Sequence, residues 1–221
     1  MLEDQSGNPR LSDGPGNANW IINHTSPSVD VNWGKGPNGD GRNDDLSEFQ
    51  MTPSIYIQNP WFAQNYYVND SEKERFIGSI NMRWDLTDWL YARARVGADR
   101  YDLHRTQSEP FGTGYKPKGG INHYKLAFKQ FDSDFFLGTD NLSLTDDVAL
   151  TAFVGVGSNV QEAESVSING NDFIVPGLVS INNVANKSAG YGYSKKQINS
   201  AYGSAELLSL IHISEPTRRY F

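Results

Sequence analysis

Between positions 75 and 99 the chain reads Arg75-Phe76-Ile77-Gly78-Ser79-Ile80-Asn81-Met82-Arg83-Trp84-Asp85-Leu86-Thr87-Asp88-Trp89-Leu90-Tyr91-Ala92-Arg93-Ala94-Arg95-Val96-Gly97-Ala98-Asp99. Phe76, Gly78, Ile80, Met82, Trp84 and Leu86 hold the even positions of the first half. Arg75, Ser79, Asn81, Arg83 and Asp85 hold the odd ones, and Ile77 is the single exception. Successive side chains leave a strand on opposite faces, so a period of two gives one apolar and one polar face. The second half repeats the arrangement, with Leu90, Ala92, Ala94, Val96 and Ala98 set against Tyr91, Arg93, Arg95, Gly97 and Asp99. Thr87-Asp88 between them is a two-residue polar turn. Residues 75 to 103 are therefore predicted to form an antiparallel hairpin.

Working outward, the same alternation returns twice. Tyr124, Leu126 and Phe128 begin a third strand, whose phase slips near Phe131 in the manner of a bulge before Phe135 and Leu137. A connection through Asp140-Asn141 to Asp146-Asp147 leads into Val148, Leu150, Ala152, Val154 and Val156, which alternate with Ala149, Thr151, Phe153, Gly155 and Gly157. A last strand is expected over Gln197 to Glu206. The stretches 106–122 and 158–195 read as long polar loops. Residues 1–48 read as a loop-rich segment, broken by one short strand around Val29, Val31 and Trp33. Met51 to Gln58 suggests another, ended by Asn59-Pro60.

Composition narrows the class. The 221 residues contain no cysteine, which removes disulfide scaffolds and thiol or Cys-zinc chemistry. Nineteen basic against 26 acidic side chains leave a net charge of −7, unlike a general nucleic-acid binder. Mean hydropathy is −0.55, and no run approaches the ~20 apolar residues of a spanning helix. Twenty-one glycines with 12% aromatic residues suit β-structure with long loops.

The expected connections alternate short and long, as in an outer-membrane barrel with short periplasmic turns and long extracellular loops. Trp84 and Trp89 flank one short turn, where an interfacial girdle would lie. Arg83, Arg93, Arg95 and Asp99 on the polar face suit a watery lumen. Periodicity alone supports equally an antiparallel sheet with one solvated face.

Several segments resemble a known family. They are Asn59-Pro60-Trp61-Phe62, Glu74-Arg75-Phe76-Ile77-Gly78, the hairpin Trp84 to Leu90, Arg95-Val96-Gly97-Ala98-Asp99 and Glu109-Pro110-Phe111-Gly112. Gly170 to Gly177, Tyr191-Gly192-Tyr193-Ser194 and Asn199 to Glu206 continue the series. In order and spacing, residues 49–206 resemble part of the barrel of TonB-dependent outer-membrane receptors of the SusC/RagA type of Bacteroidetes. The resemblance implies an all-β, antiparallel, partial transmembrane β-barrel in the cell outer membrane, in contact with lipid. It implies import of large nutrients, glycan or peptide oligomers, with a SusD-like surface lipoprotein and the TonB energy-transducing complex as partners. The family's plug domain, TonB box and signal peptide have no counterpart in these residues, so the chain reads as an internal fragment. Leu208 to Arg218 resembles the translation of a common sequencing adapter, and residues 207–221 are expected to be non-native.

On this reading Arg75, Asn81, Arg83, Tyr91, Arg93, Arg95 and Asp99 line the lumen. Other constellations carry less. Asn38 to Asp45 looks like a calcium loop, but the EF-hand pattern would put Gly36 first and Ser47 twelfth, where carboxylates belong. His24, His104, His123 and His212 are scattered, and no G-x-S-x-G elbow or phosphate loop stands in context. No catalytic residue, metal site or cofactor is expected, and no enzymatic activity. The rival reading is a surface or secreted carbohydrate-binding β-sandwich, in which the apolar faces would meet in a dry core. A secreted β-rich hydrolase is a weaker third.

Overall fold

The computed structural model describes residues 2–4, 28 and 30–209, the first three by backbone alone. The fold is all-β. Among the described residues six strands form one antiparallel meander: β1 (Leu2–Asp4), β2 (Val68–Asp85), β3 (Leu90–Glu109), β4 (Gly120–Thr145), β5 (Val148–Phe173) and β6 (Val184–Ser209). They pair in the order β1-β2-β3-β4-β5-β6, as an open sheet that fits part of a β-barrel. β1 sets Leu2 opposite Glu74 and Asp4 opposite Glu72.

The predicted hairpin forms. β2 and β3 turn at Leu86–Trp89, where the Leu86 and Thr87 N–H groups donate to the Leu90 carbonyl at 2.8 and 3.1 Å. Between β4 and β5 the turn is Asp146–Asp147, not the longer connection from Asp140, and Asn141 stays in β4 with a φ of 48°.

The two long loops are shorter than the sequence suggests. β3 runs on to Glu109 and β4 starts at Gly120, so the first loop is only 110–119. β5 runs on to Phe173 and β6 starts at Val184, so the second is 174–183 and includes a 3₁₀ turn at Ile181–Asn183. Thr106 to Glu109 and most of Ser158 to Asp172 carry polar side chains on both faces of the strand. The hydropathy pattern vanishes there while the backbone ladder continues.

Other sequence expectations are corrected. Val31–Lys35 is a 3₁₀ turn rather than a strand, because the Asp30 carboxylate accepts the Asn32 N–H at 2.9 Å and caps it. Met51 to Gln58 forms bends and turns. Asn59-Pro60 ends nothing; it opens the helix α1 (Pro60–Tyr66), with Asn59 Oδ1 accepting the Trp61 N–H at 2.9 Å and proline at the first position. β4 is unbroken at Phe131, and Phe128 stacks on Tyr101 of β3, on the face of the odd-numbered β3 residues. Leu207, Leu208 and Ser209 continue β6, and the remainder of the segment expected to be non-native lies outside the described residues.

The described residues group into two compact units. The first is drawn from Met1–Arg75, Tyr101–Phe128 and Ala163–Ser194, the second from Phe76–Arg100, Lys129–Glu162 and Lys195–Phe221. The first has two small cores, Phe62, Ala63 and Tyr67 in one, and Ile121, Phe173 and Val184 in the other. The second is a single sheet layer, and its apolar face is uncovered: Phe76, Ile80 and Val154 are 67%, 64% and 65% exposed. Among the described residues no second sheet packs on it, as the sandwich reading requires.

Candidate functional site

In the second unit the polar face carries several clusters of paired side chains. The Arg83 guanidinium donates to Asp140 at 2.5 Å and Asp85 at 2.8 Å, and lies 4.1 Å from the centre of the Tyr91 ring. Arg95 donates to Asp134 from two nitrogens, at 2.5 and 2.9 Å, and the Tyr202 hydroxyl donates to the same carboxylate at 3.1 Å. Asp132 accepts from Gln130 at 2.8 Å and also from Asn159.

These contacts put odd residues of β2, β3 and β5 on one face with even residues of β4 and β6. The other face carries Ile80, Met82, Val96, Phe135, Leu137, Val154 and Val156, all exposed. The alternation read from the hairpin thus extends across the sheet.

The expected lumen residues divide. Arg83 and Tyr91 meet, and Arg95 has its own carboxylate. Asn81 and Arg93 are exposed on the same face by parity. Asp99 shares that parity in the second unit. Arg75 belongs to the first unit, with its guanidinium 6.0 Å from the Tyr101 ring.

Sequence reading missed the partners and an aromatic cluster. Phe136, Phe153 and Tyr202 stand edge to face, with centroids 5.6 to 6.3 Å apart. Glycines make room for them. A Cβ at Gly155 would come 2.7 Å from Phe136 and 2.9 Å from Tyr202, and one at Gly138 would come 2.5 Å from the Tyr91 ring. Glycines spaced along one strand face were the available signal.

The first unit holds a second polar assembly. Glu48 is 2% exposed. Its two oxygens accept the Asn59 N–H at 2.5 Å and the Gly114 N–H at 2.9 Å, tying three loop segments together. Asn59 in turn donates to the Gly34 and Phe49 carbonyls at 2.5 and 2.8 Å. Nearby, burial raises the Tyr67 hydroxyl to about 12.

The acidic loop at 38–45 spends its carboxylates on turns. Asp40 accepts the Arg42 N–H at 3.0 Å and the Tyr66 hydroxyl, and Asp45 accepts the Ser47 N–H at 3.0 Å. Among the described residues no three His, Asp or Glu side chains are grouped to hold a metal.

Burial raises the Glu48 carboxyl above the usual glutamate range, outweighing its two N–H donors. The folded cluster therefore holds this proton more tightly than the unfolded chain. Stability is greatest below the ordinary glutamate value and falls as pH rises towards the raised folded value. Hydrogen-exchange protection factors at Asn59 and Gly114 should decline as pH rises above the ordinary glutamate value of about 4.3. Glu48→Gln should flatten that decline. A protection factor that rises with pH would refute the assignment.

No protein-family model matches the chain, and no curated protein does. Among solved structures it is similar to the structure of the RagAB peptide transporter, with a TM-score of 0.60 and 13% identity. The match covers 73% of this chain and 19% of that one, so the chain spans about a fifth of its length. At this identity the likeness shows the fold.

Proposed function

We propose that the chain is a wall segment of a TonB-dependent outer-membrane transporter of the SusC/RagA type, importing glycan or peptide oligomers and performing no catalysis itself. One observation carries the reading. An uncovered apolar face, with Ile80, Met82, Val96, Phe135, Leu137, Val154 and Val156, backs a face built from Arg83–Asp140 and Arg95–Asp134 ion pairs. In water such an apolar expanse favours association. Against lipid it is the outer surface of a barrel, and the charged face is the hydrated lumen.

Further features support it. β2 and β3 have 18 and 20 residues, and β4, β5 and β6 have 26 each, against the ~9–11 that a tilted spanning strand needs. Trp84 and Trp89 are exposed beside the turn at 86–89, as in an interfacial girdle. A similar solved structure is that of a peptide transporter. A SusD-like lipoprotein and the TonB complex are the partners this reading requires.

The absence of native cysteine makes the test direct. Single cysteines at Asn81 and Arg93 should react with a water-soluble maleimide in native membranes, and cysteines at Met82 and Ala94 should be protected. Equal labelling of both parities would defeat the proposal.

A further inference from the structure

We propose that a cleft in the first unit binds the main chain of an extended, uncharged peptide segment. The cleft measures about 550 Å³, within the usual range of ligand pockets. Gln107, Asn122, Asn169, Asn171 and Ser188 line it from β3, β4, β5 and β6, with Gly120 among them. Four of these five side chains are carboxamides, the glutamine one methylene longer than the asparagines.

Their bonding leaves a defined set of free groups. Asn122 donates to the Asn169 carbonyl oxygen at 2.5 Å, and Gln107 donates to that of Asn69 at 3.0 Å. An amide has two donors and two lone pairs. The oxygens of Asn122 and Gln107 and the amino group of Asn169 therefore stay available, each held by the bond its other end makes. The side chains of Asn171 and Ser188 make no hydrogen bond to a described residue. The cleft thus offers fixed donors beside fixed acceptors, and a peptide main chain offers the complementary pair at every residue.

Two further facts select the ligand. Lys116 and Glu109, at the cleft wall, are paired with each other at 2.8 Å, so neither charge calls for a counter-ion. Tyr67 is the one ring in the lining and is only 8% exposed, which leaves no flat surface to stack against a sugar. Gly120 keeps the space open: a Cβ there would come 2.5 Å from the Lys116 ammonium and 2.8 Å from the Gly170 carbonyl oxygen.

The inference rests on the transporter reading for its biological meaning, but its test is separate. The full chain, in detergent micelles, is titrated calorimetrically with a capped, neutral Ala/Ser hexapeptide and with maltohexaose. Binding of the peptide in preference to the sugar is expected. Asn122→Leu should weaken it roughly tenfold, and Asn171→Ala by about two- to tenfold, the worth of one hydrogen bond. Asn171 is exposed and unbonded, so its removal leaves the fold intact. Preference for the sugar, no peptide binding, or unchanged affinity in Asn171→Ala would each overturn the proposal. If the cysteine parity test succeeds and peptide binding fails, the cleft assignment alone falls. The reverse pattern sinks the transporter and keeps the cleft.

Discussion

Val96→Arg should sharply reduce the amount of chain recovered in the membrane, whereas Arg95→Glu should leave that amount nearly unchanged and impair uptake. Val96 is 40% exposed on the apolar face, and on the proposed reading its neighbours there are lipid chains. An arginine near the bilayer midplane of a barrel costs about 2–4 kcal/mol. Arg95 stands one residue away on the opposite face. Its side chain is 53% exposed where it meets Asp134. The Asp134 side chain is 15% exposed, but with the arginine open to solvent the pair is worth little to stability, about 0–1 kcal/mol. Reversal would instead place two carboxylates together beside Tyr202 and alter the field of the wall. Quantitative blotting of membrane fractions separates the two variants. Equal depletion would mean that neither face is lipid-exposed.

The second large effect is local to the first unit. Phe62 is fully buried, with its ring 5.5 Å from that of Tyr66 and 6.2 Å from that of Tyr67. Phe62→Ala should destabilise the loop cluster by about 3–5 kcal/mol, from lost transfer energy and the cavity left behind. Gly41→Ala should damage the same cluster from the other side. Gly41 has φ +89°, and a Cβ there would sit 2.3 Å from the Phe62 nitrogen, a backbone atom that cannot swing away. Limited proteolysis should show new cleavage within 36–66 in both variants. Hydrogen exchange across Phe76 to Ala98 should remain slow. Loss of protection in that hairpin as well would show that the loop cluster is needed to form it.

The hairpin from Arg75 to Asp99 was legible because alternation is a local property. Apart from Ile77, the polarity of the side chains assigns them their faces, and Thr87-Asp88 supplies the turn. For that reason the all-β class, the two strand faces and the shared polar face of Arg83, Arg93 and Arg95 could be read without coordinates. Where both faces of a strand carry mostly polar side chains the rule has nothing to act on, so β3 beyond Thr106 and β5 beyond Ser158 read as loop in the sequence. Asn59-Pro60 was ambiguous locally: the same pair ends a strand or caps a helix, and the choice fell to the Gly34 and Phe49 carbonyls that Asn59 reaches across the fold. The pairing of Arg95 with Asp134 and Tyr202, 39 and 68 residues of chain separating the partners from Arg95 and from each other, was likewise beyond any local pattern. So was the cleft, whose amides come from four strands. Sequence determined which side each residue of the hairpin faces, because that depends on hydration alone. Only the tertiary structure decided which residues meet, because strand register brings together groups that are distant along the chain.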